Sequence, residues 1–83
     1  MKAIIEVINP QRGMYAGKIE GQDEYIIFEL LNSNEPNIDD IISHQDFYNM
    51  GEEIFNNLTQ QCEIHVYIQN ICTSNFVRQQ CLF

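Results

Sequence analysis

Cys62 and His65 stand three positions apart, and His44 and Asp46 lie upstream of them. These side-chain types ligate metals or pair as nucleophile and base. Their surroundings decide what they can do. Glu63 to Gln69 (EIHVYIQ) alternates Ile64, Val66 and Ile68 with Glu63, His65, Tyr67 and Gln69, the pattern of a strand with one dry and one wet face. Successive strand side chains point to opposite faces, so Cys62 and His65 cannot share a metal unless the strand starts after Cys62. His44 and Asp46, two apart, can share a face, but two ligands do not make a structural zinc site. A half-exposed histidine on a wet strand face is the plainer expectation. Nor does a nucleophile emerge: no Lys or Arg flanks Cys62, and the neighbouring Glu63 disfavours a thiolate.

The paired acids Asp39-Asp40 and Glu52-Glu53 have the side chains for acid–base work or divalent cations. Adjacent residues on a strand or loop face apart, so solvated surface is expected. The chain has neither a phosphate-cradling glycine loop nor a serine nucleophile motif. The expectation is therefore no catalytic residue, no metal and no cofactor: not an enzyme.

The elements that would position these side chains read as strands. Lys2 to Asn9 is rich in Ile and Val, and Asn9-Pro10-Gln11-Arg12-Gly13 closes it with turn chemistry. Met14 to Glu20 and Glu24 to Leu31 follow, separated by Gly21-Gln22-Asp23. In the third strand Ile26, Phe28 and Leu30 share one side and Tyr25, Ile27 and Glu29 the other. Three strands joined by short turns make an antiparallel meander. Asn32 to Asn37 is a loop by composition. Ile38 to Ser43 is expected as a fourth strand, with room to run on to Tyr48. A reversal at Asn49-Met50-Gly51 then leads into a fifth strand from Glu53 to Leu58, although Gln45 to Leu58 also fits a helix. Glu63 to Gln69 is the sixth. Thr73 or Ser74 can cap a short helix carrying Phe76, Val77, Cys81 and Leu82 on one side, and two turns of helix hold only against a support.

With 83 residues, 45% of them apolar, the chain has room for one domain and one core. Twelve acids face four bases (Lys2, Arg12, Lys18 and Arg78), for a formal net charge of −8. Phosphate-backbone binding draws on Lys and Arg, so this is a weak footprint for a polyanion. An acidic surface of this kind keeps a small protein dissolved. No apolar run approaches the roughly 18 residues of a membrane span, and Met1 to Asn9 lacks the features of a secretory signal. A cytoplasmic location is expected, with Cys62, Cys72 and Cys81 reduced and buried.

The run Val7-Ile8-Asn9-Pro10-Gln11-Arg12-Gly13-Met14-Tyr15-Ala16 resembles the opening of cold-shock domains, and the likeness continues through Glu20-Gly21-Gln22-Asp23-Glu24 into Tyr25-Ile26-Ile27-Phe28. Asn9, Arg12-Gly13 and Gly21-Gln22-Asp23 are its specific anchors, and it covers residues 7–31. The resemblance implies a five-stranded OB barrel that stacks single-stranded RNA or DNA on exposed aromatic rings. At the stacking positions this chain departs from the family. Val7 stands where the first-strand tryptophan would be. Met14 and Ala16 replace two phenylalanines, while Ile26, Phe28 and Glu29 occupy the positions of a phenylalanine, a histidine and a phenylalanine. Phe28 keeps a ring, and Tyr15 and Tyr25 lie one step out of register. Each lost stack removes about 1–3 kcal/mol of affinity per base.

Together these readings predict an all-β, small OB-like antiparallel barrel of five or six strands with a short C-terminal helix. The whole chain is one domain, with the barrel in 1–60 and an added strand and helix in 61–83. The predicted interaction face consists of Val7, Arg12, Met14, Tyr15, Lys18, Ile26 and Phe28. Its apolar members are expected to be covered, by the C-terminal elements or by another protein, unless the strand register makes them barrel core. Three functions follow: a protein-binding module, a diverged single-strand binder acting weakly through Arg12, Lys18, Tyr15 and Phe28, or an acidic mimic of nucleic acid in a partner's basic groove. Self-association is left open, and no membrane is involved.

Overall fold

Asn9 to Gly13 reverse the chain within five residues. The Arg12 N–H donates to the Asn9 carbonyl and the Gly13 N–H to that of Pro10, both at 3.1 Å. Gly13 takes φ 66°, a left-handed conformation that a side chain would strain. This turn joins β1 (Lys2–Asn9) to β2 (Met14–Ile19) in a computed structural model that describes residues 1–82. β3 (Tyr25–Leu30), β4 (Ile41–Ser43), β5 (Gly51–Asn57), β6 (Cys62–Cys72) and the helix α1 (Val77–Leu82) complete the chain.

The strands close into a barrel in the order β1-β2-β3-β6-β5-β4, and β4 returns to β1 through the pairs Lys2↔Ser43, Ala3↔Ile42 and Ile4↔Ile41. Every ladder is antiparallel. The result is the expected small OB-like barrel with a short C-terminal helix. Its sixth strand is no appendage: β6 is laced between β3 and β5 and closes the wall. The expected fourth strand shrinks to Ile41–Ser43, and Gln45 to Leu58 contains no helix. No described helix is long and apolar enough to cross a membrane.

Two β-bulges set which side chains face inward. On β1 the register shifts between Ile5 and Val7, leaving Glu6 as the extra residue. Before it, Ala3 and Ile5 point into the barrel; after it, Ile8 does, and Val7 joins a separate apolar cluster outside. On β6 the partner changes from Ile68 to Asn70 as β3 passes from Phe28 to Ile27, which leaves Gln69 as the extra residue. Ile64, Val66 and Ile68 face the core, but beyond the bulge Ile71 turns inward and Cys72 outward. One supernumerary residue reverses the alternation of everything that follows it on the strand.

The interior is built around a column of rings. Tyr15 stacks on Phe28 with centroids 5.8 Å apart, Phe28 meets Phe55 edge-on at 5.2 Å, and Phe55 meets Phe47 edge-on at 5.2 Å. Isoleucines of β1, β2, β3, β4 and β6 fill the space around them. Gly17 faces β1 with little room for a side chain: a Cβ there would sit 3.3 Å from the Ala3 Cβ and 3.4 Å from the Ile4 carbonyl oxygen.

Candidate functional site

The outer face of β1, β2 and β3 carries a second apolar cluster. Val7, Ala16, Tyr25, Ile27 and Cys72 meet Val77 and Cys81 of α1, and Met14 packs at its edge. Val77 and Cys81 are one helical turn apart, so both project from the same side of α1 onto the sheet. Polar contacts fasten the rim. The Asn9 side-chain amide donates to the Cys81 carbonyl at 3.3 Å, and the Asn70 amide donates to Gln80 Oε1 at 2.8 Å. The Tyr25 hydroxyl donates to Glu6 Oε1 at 2.9 Å, so the bulged residue also helps close the cover. Phe76 and Leu82, expected to pack with Val77 and Cys81, remain exposed.

The seven residues predicted to form one interaction face are divided between three environments. Val7 and Met14 lie on the outer face beneath and beside α1. Tyr15, Ile26 and Phe28 point into the barrel with no exposure, the barrel-core alternative that the register had left open, and so they form no part of an interaction face. The alternation within β3 is as predicted, but its Ile26–Phe28 side is the inner one. Lys18 lies on β2, where its ammonium donates to the Gln22 carbonyl at 2.9 Å. Arg12 is exposed in the β1–β2 turn and borders an open groove of about 540 Å³ beside α1, whose floor includes Met14 and Ile27 and whose walls include Glu29, Asn70 and Gln80.

The residues weighed for metal or acid–base chemistry are also dispersed. Cys62 packs partly buried against the barrel core, while His65 is exposed on the outer face of the same strand. His44 lies over Phe47 and Phe55. Its Nδ1 accepts the Asp46 backbone N–H at 2.9 Å, which leaves Nε2 to carry the proton toward Glu53 Oε1, 2.7 Å away. Asp40 is buried, and its Oδ2 accepts from the Asn37 N–H, the Asn57 amide and the Gln60 amide. The contacts of His44 and Asp40 are fastenings between loop and strand, satisfied inside the fold.

What sequence reasoning passed over is the outer face on the far side of the barrel. On β5, Glu52, Ile54 and Asn56 point outward; on β6, Glu63, His65 and Tyr67 do. The ladders align them in rows. Glu52 pairs with Tyr67, which pairs with Glu29 on β3, and Ile54 pairs with His65. The Leu31 N–H donates to the His65 carbonyl at 2.7 Å and so extends the second row. Tyr67, Ile54 and Leu31 are 42%, 48% and 49% exposed. The alternation in EIHVYIQ announced this wet face, but only the register brings Glu29 and Leu31 beside it. No protein-family model matches the chain, and no curated protein or solved structure matches it.

Proposed function

We propose that this chain is a non-enzymatic binding module that engages another protein through the outer barrel surface left open by α1. The observation that carries this reading is the packing of Val77 and Cys81 onto Val7, Ala16 and Ile27. The resemblance to cold-shock domains assigns the nucleobases to the neighbouring strands, and on the outside of those strands this chain presents Val7, Ala16, Ile27 and the ring of Tyr25, all already covered. Tyr15 and Phe28, the rings on which a single-strand binder would rely, stack on each other inside the barrel. The net charge of −8 opposes a polyanion, and it also opposes a second copy of the same chain. A cytoplasmic setting suits the three unbridged cysteines.

Titration with fluorescent oligouridylate and oligothymidylate at low salt tests the reading. The expected result is no saturable binding. Tight uptake that weakens as salt is added would establish a nucleic-acid binder and overturn the proposal.

A further inference from the structure

We infer that the β3–β6–β5 face receives an extended, arginine-bearing segment of another protein, with the guanidinium over Tyr67 between Glu29 and Glu52. This deepens the binding-module reading and rests on it.

Three features of the face point to that occupant. The first is the row Glu52–Tyr67–Glu29, in which two carboxylates flank an exposed ring from the adjacent strands. Strands lie about 4.8 Å apart, so a cation above the ring stands within a few ångströms of both carboxylates. Such a cation gains from the ring face and from the two charges together. Arginine suits the position better than lysine, because a planar guanidinium stacks on the ring while its edge N–H groups reach carboxylates on either side.

The second feature is the row Ile54–His65–Leu31, apolar at both ends and two residues farther along the strands. That step is about 6.8 Å, the distance between alternate side chains of an extended peptide. A segment lying along β6 with an arginine and an aliphatic residue two positions apart would fill both rows at once.

The third is the distribution of charge. The four basic side chains of the molecule lie on β1, β2, the turn between them and α1; β3, β5 and β6 carry none. Nothing on this face neutralises Glu29 or Glu52 by an ion pair among the described residues, so the field there favours a cationic partner over an anionic one or a second copy.

The probe is a capped nonapeptide with Arg-Thr-Leu at its centre and no acidic residue, titrated into the isotope-labelled chain and followed by amide chemical shifts. Shifts should cluster at Glu29, Leu31, Glu52 and Tyr67 and should weaken with salt. Replacing the arginine by citrulline should weaken binding about fivefold or more, as should Tyr67→Ala or the double variant Glu29→Gln/Glu52→Gln. These side chains lie on the surface, and an unchanged melting curve will show that each variant is folded.

Absence of shifts at millimolar peptide, shifts at Arg12, Met14 and Gln80 beside α1 with none at Glu52, Tyr67 or Leu31, or equal affinity for Tyr67→Ala would each overturn the assignment. A protein partner identified by pull-down and still bound by Tyr67→Ala would leave the binding-module reading standing while this surface assignment falls. Oligouridylate shifting the same amides more tightly than the peptide would remove both.

Discussion

Asn57 donates its side-chain amide to the Asp40 carboxylate across 2.9 Å of buried space, tying the end of β5 to the residue that precedes β4. The same oxygen accepts the Asn37 N–H at 2.9 Å and the Gln60 amide at 2.6 Å. The neighbouring Asp39 is held at φ 73°, and its N–H donates to the Ile5 carbonyl while the Ile5 N–H donates to that of Asp40. This knot continues the β1 seam past the end of β4, where regular pairing stops.

Asp40→Ala should therefore cost about 2–4 kcal/mol, because it strands the buried Asn57 amide and two part-buried donors as well as removing their acceptor. Burial alone would push the Asp40 carboxyl up, but the three hydrogen bonds outweigh it and hold the group below its ordinary value. A carboxyl depressed in the folded state stabilises the fold above its unfolded pKa of about 3.9. That contribution is lost as pH falls from there through the folded value. Urea unfolding from pH 7 down to pH 2 should show this loss in the wild type, with a shallower slope below pH 4 in Asp40→Asn.

The Tyr15 hydroxyl is buried and has no hydrogen-bond partner among the described residues, although its ring is stacked on Phe28. Tyr15→Phe keeps the stack and removes the stranded hydroxyl. Stability should stay level or rise by up to about 1 kcal/mol, measured as the urea midpoint at constant m-value. A loss of more than about 1 kcal/mol would mean that the hydroxyl has a partner such as a bound water.

Thiol labelling should report on the docking of α1. Burial pushes the Cys81 thiol up to about 11 despite the nearby Arg12 guanidinium, and burial raises Cys72 as well. Cys62 is only half-buried. At pH 8 a maleimide should modify Cys62 first, leaving Cys72 and Cys81 for events that lift the helix. Val77→Asp, which places a charge against Val7 and Ile27, should speed labelling of Cys81 at least tenfold without matching acceleration at Cys62. Peptide mapping by mass spectrometry separates the three sites.

Strand content was legible from local pattern: Ile64, Val66 and Ile68 alternate cleanly, and the Asn9–Gly13 turn is written in its residue types. The orientation of the strands was not. Ala3, Ile5 and Val7 alternate as regularly as any three residues in the chain, yet Val7 leaves the barrel because the bulge at Glu6 resets the phase. A bulge is a property of two paired strands, and one strand's pattern does not contain it. For the same reason the pattern left open whether Tyr15, Ile26 and Phe28 formed a covered outer face or the barrel core, where they lie. The row through Tyr67 was hidden for a related reason, since Glu52, Tyr67 and Glu29 meet only through cross-strand pairing. The brevity of β4 also lay outside the pattern: Ile38 is apolar and suits a strand, but the buried Asp40 knot takes its place in the seam.

The supernumerary residues on β1 and β6 couple the molecule's lining to its exterior. Excising Glu6 would let Ile5 and Val7 pair consecutively with Gly17 and Ala16, keeping Val7 outward but losing the acceptor of the Tyr25 hydroxyl. Removing Gln69 would likewise leave Asn70, Ile71 and Cys72 opposite their present partners, with Cys72 still beneath α1. The two bulged strands therefore have a reading frame of their own: the extra residue itself can be lost without turning a strand over, whereas a deletion at a paired position throws the side chains beyond it onto the opposite face.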